Sequence, residues 1–193
     1  NMEDDKYHPC QALADVMTMR EKLGSLRGKK FVMSWAYSPS ANKPVSVAQS
    51  AIAIASQFGM DVVLAHPDGF ELDPDLVQGV RENATQQGGS FRLTHDMSEA
   101  FVDADVVYAK CWNALQLMPP RVDSMREEEM RGLIEANRDW ICDEGRMALA
   151  GPGALYMHCL PAQRGCEVTD EVIDGPQCVV FEQAHNRMHA QKA

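Results

Sequence analysis

Short apolar runs alternating with stretches of helical periodicity constrain this chain more than any other feature. Residues 31–36, 61–65, 90–93, 105–109 and 154–157 read as strands, and residues 178–181 as a sixth. Most are continuously apolar, as strands covered on both faces should be. Helices are predicted between them. One runs from about Pro9 to Leu23, with Pro9 suited to the first turn and Gly24 to the stop; a second is capped by Ser46 and ends at Gly59. Others span about 73–87, 97–102 and 126–137, with short ones near Asp143 and after Thr169, and a last begins near Ala184. A long irregular stretch containing Pro119-Pro120 separates the fourth strand from the polar helix. Such alternation predicts an α/β fold, a Rossmann-like parallel sheet with helices on both faces.

Length and charge narrow the class. At 193 residues the chain is one large domain or slightly more, and 45% hydrophobic content allows a full core. A net charge of −10 argues against a basic face for nucleic acid. No apolar run reaches the ~18 residues of a membrane span. The opening residues are polar and acidic, unlike a signal peptide. The six cysteines form no CxxC pair and read as reduced thiols, so a cytoplasmic location is expected. Asn1 stands where an initiator Met would, and helical periodicity still runs at Ala193; a piece of a longer polypeptide is expected.

Three common α/β signatures are missing. No GxGxxG follows the first strand, and there is no Walker A or GxSxG motif. What the chain does carry is His158-Cys159-Leu160-Pro161 at the tip of an apolar strand, where ligands of open α/β sheets bind. Cys159 could be a nucleophile, a metal ligand, a soft polar contact or simply core, the usual fate of a lone Cys on an apolar strand. About 150 residues earlier, His8-Pro9-Cys10-Gln11 opens a helix, with His8 and Gln11 one turn apart. They would offer neutral donors beside free helix N–H groups, unless they serve only as helix-entry and surface residues. Lys110 closes an apolar strand, where a charge is costly unless it reaches a cleft or snorkels. Asn186-Arg187, placed in the first turn of the last helix, would favour an anion. His185 and His189 stand i, i+4 without the Glu of HExxH, a spacing equally natural on a polar helix face.

Three segments in order, His8-Pro9-Cys10-Gln11-Ala12-Leu13-Ala14-Asp15, His158-Cys159-Leu160-Pro161 and Glu182-Gln183-Ala184-His185-Asn186-Arg187-Met188-His189, together resemble the aspartate/ornithine carbamoyltransferase family. His158-Cys159-Leu160-Pro161 resembles its ornithine-type branch. The Pro-containing loop Tyr37–Pro44 and Lys110-Cys111-Trp112 resemble the knotted members, which include the N-acetyl- and N-succinylornithine enzymes and relatives of undefined substrate. The resemblance implies transfer of a carbamoyl group between carbamoyl phosphate and the amino group of an amino acid. It assigns His8, Gln11, Cys159, Leu160 and Arg187 to carbamoyl phosphate, and Lys110, Trp112, Glu3 and His158 to the second substrate. No residue is assigned as a certain catalytic group, no metal or organic cofactor is implied, and a homotrimer is. A trefoil knot, which would thread a later segment through a loop, is implied by analogy.

The resemblance divides the chain into an interdomain helix segment, 1–25, and an amino-acceptor domain, 26–193. The family's Ser-Thr-Arg-Thr-Arg-type phosphate loop has no counterpart here, so a separate N-terminal carbamoyl phosphate domain is expected and the 193-residue piece alone should be inactive or nearly so. Two other readings compete: a non-catalytic binding or assembly protein on the same fold, and a zinc protein using Cys159, His185 and His189.

Overall fold

The computed structural model describes residues 3–40, 43–118 and 124–193. Five strands form one sheet: β1 (Lys30–Trp35), β2 (Asp61–Ala65), β3 (Ser90–Thr94), β4 (Val106–Lys110) and β5 (Leu155–Met157). The order is β3-β2-β1-β4-β5, and every pairing is parallel. β4 and β5 are buried at every position and β1 at all but Lys30, which requires cover on both faces. The edge strand β3 instead alternates in exposure, consistent with its position at the rim.

Helices supply the cover. α1 (Pro9–Leu23), α2 (Ser46–Gln57), α3 (Pro74–Gln87) and α8 (Val180–Lys192) pack side by side. α4 (Met97–Phe101), α6 (Glu144–Met147) and α7 (Asp170–Ile173) form a second group, with α4 against β1, β2 and β3. α5 (Ser124–Glu135) packs on the 3-10 turn Leu115–Leu117. Aspartates cap three of the helices: Asp73 accepts from the N–H groups of Asp75 and Leu76, Asp96 from Glu99, and Asp143 from Arg146. Ser46 does not cap α2 as expected. It lies inside the first turn, and its hydroxyl donates to Glu3 Oε1 at 2.8 Å.

A second expectation fails at residues 178–181. Only a single bridge forms, Tyr156 with Cys178, and the chain turns directly into α8 at Val180. Val179 and Val180 are buried as a helix start and not as a strand. A four-residue apolar run cannot tell the two apart. The expected loop 37–44 and the Pro119-Pro120 stretch fall partly or wholly outside the described residues.

The turn between α3 and β3 leaves no room for a side chain. Gly88 caps α3 in the left-handed region at φ 76°, and a Cβ on Gly89 would lie 2.4 Å from the Met60 carbonyl oxygen. Gly89→Ala is therefore expected to destabilise the fold by about 2 kcal/mol or more. Gly79, within α3, has open space around its Cβ position, so Gly79→Ala should add about 0.5–1 kcal/mol. Urea midpoints of the two variants, shifted in opposite directions, check both statements.

The strand order positions the site. From β1 the chain runs outward to β2 and β3, then returns to the other side of β1 to form β4 and β5. β1 and β4 are thus neighbours whose connections leave in opposite directions. The crevice at their carboxyl ends is where open α/β sheets bind ligands.

Candidate functional site

A cavity of about 260 Å³ opens at that crevice. The strand ends deliver its floor. Lys110 ends β4 in register with Trp35 of β1, and β5 runs on into His158, Cys159, Leu160 and Pro161. His8 and Gln11 come from the start of α1, Arg187 from α8, and Glu3 from the segment before α1. Eight of the nine residues picked out for binding, spread from position 3 to position 187, therefore meet in one cavity.

Trp112 is the exception. It is fully buried, its indole N–H donates to the Phe70 carbonyl at 2.9 Å, and its own carbonyl accepts from Trp35 Nε1 at 2.8 Å. It braces the ends of β1 and β4 from within the core and lines no part of the cavity.

Each cavity residue is held by local structure. His8 is the residue before α1, with Pro9 in the first turn, and its N–H donates to Ser50 Oγ on α2 at 2.8 Å. Its ring is buried, with Nε2 3.7 Å from Glu3. Gln11, one turn on, is buried and not an exposed surface residue. Its Nε2 donates to Asp15 Oδ1 at 2.7 Å, so the amide nitrogen expected to face a ligand is turned toward Asp15. Its Oε1 has no partner among the described residues, which leaves an acceptor at the cavity wall. Lys110 is buried, and its Nζ donates to the Cys111 carbonyl at 2.8 Å.

Arg187 lies in the second turn of α8, because that helix begins four residues before the expected position. The helix N-terminus therefore does not contribute to its site. Its guanidinium reaches the cavity instead, with Nη1 3.4 Å from the Cys159 carbonyl. Asn186 turns the other way, donating to Thr18 Oγ1 and Glu21 on α1.

His158 accepts the Leu160 N–H at Nδ1, 3.0 Å. Its Nε2 faces Glu167 Oε1 at 3.5 Å. Leu160 adopts φ 55°, in the left-handed region that costs a non-Gly residue ~1–2 kcal/mol, and the Leu160–Pro161 bond is cis. Burial pushes the Cys159 thiol up, with Lys110 opposing, so the side chain is a neutral thiol suited to contact and not to attack.

Glu167 was not among the expected residues. It is 1% exposed, accepts the Cys111 N–H at Oε1 and the Gln163 N–H at Oε2, both at 2.8 Å, and lines the cavity. Burial raises its pKa, yet the His158 ring and the two backbone N–H groups outweigh burial and leave it below the usual carboxylate value. An acidic residue between Cys166 and Val168, a few positions past a strand tip, was the only clue to it. Lys43, Pro44 and Val47 also line the wall and were not expected. The loop carrying Lys43 is tied to the end of β4 by reciprocal bonds with Asn113: Asn113 N–H to the Lys43 carbonyl, and Lys43 N–H to Asn113 Oδ1. Lys43, Lys110 and Arg187 thus share a small cavity with the carboxylates of Glu3 and Glu167, a match for a compact ligand bearing both anionic and amino groups.

The three residues of the zinc reading do not converge. His185 and His189 sit on the exposed side of α8 with Nε2 atoms 3.1 Å apart, in a groove that Cys159 does not reach. No group of three His, Cys, Asp or Glu suited to a metal occurs among the described residues. Nor is any helix among them long and apolar enough to cross a membrane.

Residues 40–193 match the family model "Aspartate/ornithine carbamoyltransferase, Asp/Orn binding domain". The chain is 43% identical to "Putative carbamoyltransferase YgeW" of Escherichia coli, over 95% of this chain and 52% of that protein. It is 42% identical to an anabolic ornithine carbamoyltransferase of Pyrococcus furiosus, over 98% and 55%. An N-acetylornithine carbamoyltransferase of Xylella fastidiosa is 41% identical, over 96% and 54%. Among solved structures, acetylornithine transcarbamylase complexed with acetylcitrulline superposes with a TM-score of 0.91 at 38% identity, covering 100% of this chain and 56% of that one. A point mutant of N-acetyl-L-ornithine transcarbamylase, complexed with carbamyl phosphate and N-succinyl-L-norvaline, gives the same TM-score of 0.91. The chain spans about half the length of the curated relatives it matches.

Proposed function

The chain belongs to the aspartate/ornithine carbamoyltransferase family, and from that premise we propose that it carries the amino-acceptor half of an enzyme transferring a carbamoyl group between carbamoyl phosphate and the amine of an amino acid. The observation that carries the reading is the convergence of His8, Gln11, Cys159, Leu160 and Arg187 on one cavity, from three segments separated in sequence.

In the proposed reaction, a neutral amine attacks the carbonyl carbon of carbamoyl phosphate, an oxyanion forms, and the C–O bond breaks as phosphate leaves with the proton that the amine gives up. Arg187 holds the anionic end. His8, beside the carbonyl, offers its ring to the developing oxyanion. Gln11 Oε1 accepts from the carbamoyl NH2, and the Cys159–Leu160 backbone bounds the same group. Lys110, Glu3 and His158 face the amino acid, and Glu167 joins them by holding the His158 ring and the Cys111 N–H in place. Juxtaposing two reactants supplies much of the remaining acceleration.

Residues 1–25 serve in this reading as the interdomain segment and 26–193 as the acceptor domain, with the phosphate grip completed by a segment outside these 193 residues. The coverage of about half of each relative supports that division. A homotrimer, a trefoil knot and a cytoplasmic location belong to the same reading; six free cysteines suit a reducing compartment.

Radiolabelled carbamoyl phosphate offered with ornithine, acylated ornithines and shorter diamino acids tests the reading in the longer protein that carries this chain. Label should pass to one amine class, and the 193-residue chain alone should give little or none. Transfer to no amine by the longer protein contradicts the reaction. Full turnover by the chain alone contradicts the division of the site.

A further inference from the structure

Behind the cavity wall lies a buried carboxylate to which the proposed reaction gives no role. Asp15, one helical turn past Gln11 on α1, is 1% exposed. Its Oδ1 accepts from Gln11 Nε2 at 2.7 Å and from Gln183 Nε2 at 2.6 Å. Its Oδ2 has no partner among the described residues. Gln183, on α8, is held from both ends: its Oε1 accepts the His158 N–H at 2.9 Å, and its Nε2 also lies 3.1 Å from the Tyr108 hydroxyl oxygen. Gln183 cannot turn over without stranding the His158 N–H, so it is a rigid clamp on Asp15.

Gln11 has no such second tether among the described residues. A carboxylate only accepts hydrogen bonds, so an ionised Asp15 forces Gln11 to present its NH2 inward. The carbonyl oxygen is then the end left for a ligand. A protonated Asp15 removes that rule, because its O–H can donate to Gln11 Oε1 and let the amide reverse.

We propose that Asp15, clamped by Gln183, is a positioning residue that holds the Gln11 amide with its carbonyl oxygen toward the cavity, as an acceptor for the carbamoyl NH2. The assignment rests on the carbamoyl-transfer reading above. The facing groups sharpen it. Burial pushes the Asp15 carboxyl up to about 7, against the opposing Gln11 and Gln183 bonds and the Arg187 charge from α8. Tyr108 on β4 and the Cys159 thiol beyond β5 also face it; burial raises both, so they stay neutral through the same range. Arg187 is then the charged neighbour, and mild acidification releases the amide.

Asp15→Asn is nearly isosteric and removes the rule that orients Gln11. In the longer protein, its kcat/KM for carbamoyl phosphate should fall about tenfold at alkaline pH, the loss expected for one charge-assisted contact. The wild-type decline in kcat/KM on acidification through about pH 7 should flatten in the variant. Wild-type kcat/KM and an unaltered acid decline in Asp15→Asn would overturn the assignment. A purely structural Asp15 would shift the unfolding temperature without touching that decline.

If the variant does not fold, the Gln11 side-chain amide resonances of the wild-type protein decide the matter. They should shift with a midpoint near neutrality, and their constancy across that range would overturn the assignment. This second readout needs no turnover. A protein that transfers carbamoyl to no amine would refute the reaction, while the amide titration would still report on Asp15.

Discussion

Glu167→Ala is expected to cost about 3–5 kcal/mol of folding stability, the range for breaking a buried hydrogen-bonded charge by removing one partner. The reason is the environment. The carboxylate is 1% exposed and is the acceptor for the Cys111 and Gln163 N–H groups, with the His158 Nε2 facing it. Removal leaves two backbone donors and the ring of a cavity residue without the buried acceptor that holds them. Glu167→Gln keeps the volume but turns an NH2 toward one of those donors, so a smaller loss of about 1–3 kcal/mol follows. The acid dependence has a definite sign. A carboxyl whose folded pKa lies below its unfolded value contributes stability that is fully present above the unfolded value. That contribution disappears as pH falls through the lowered folded value. Chemical denaturation at neutral and at acidic pH should therefore show wild type losing its advantage over Glu167→Gln in acid. Equal midpoints at neutral pH would show that Glu167 is not the acceptor described here.

Arg187→Ala is expected to weaken carbamoyl phosphate binding by about a hundredfold, the loss from removing a charge-assisted donor to an anion in a confined site. Arg187→Lys should recover only part of it, since a point charge cannot reproduce the planar fork. The guanidinium is half-buried, and its one hydrogen bond among the described residues is a long 3.4 Å contact to the Cys159 carbonyl; its other influence is its charge on Asp15, so the fold depends modestly on it. The unfolding midpoint should stay within about 0.5 kcal/mol of wild type. Calorimetric titration paired with a melting curve separates the two effects, and a variant that binds as tightly as wild type would remove Arg187 from the anion site.

Much of this arrangement was legible in the sequence. The strands β1, β2 and β4 are continuous apolar runs, and α1 is bounded by a first-turn Pro and a terminal Gly; both signals are local. The cavity was legible as motifs at strand and helix ends, because a parallel sheet gathers such ends at one edge. What escaped depends on long-range packing. Val179 and Val180 are apolar enough for a strand, but the sheet offers them only one rung beside Tyr156, so they start a helix. Trp112 stands beside cavity residues in sequence, yet its neighbours Phe70 and Trp35 draw it into the core. Glu167 has no motif, and what holds it in place is the pair of backbone N–H groups from Cys111 and Gln163, one of them 56 residues away in sequence. Asp15 carried a usable signal, since four residues from Gln11 puts it on the same helix face, but nothing local revealed that Gln183 would close over it.

A crystal structure of the longer protein soaked with carbamoyl phosphate shows whether the cavity at the ends of β1, β4 and β5 receives that compound. The phosphoryl group should lie against Arg187 and the carbamoyl group between His8, Gln11 and the Cys159–Leu160 backbone, with its NH2 on Gln11 Oε1. Carbamoyl phosphate bound elsewhere, or a cavity left empty at saturating concentration, would contradict that placement.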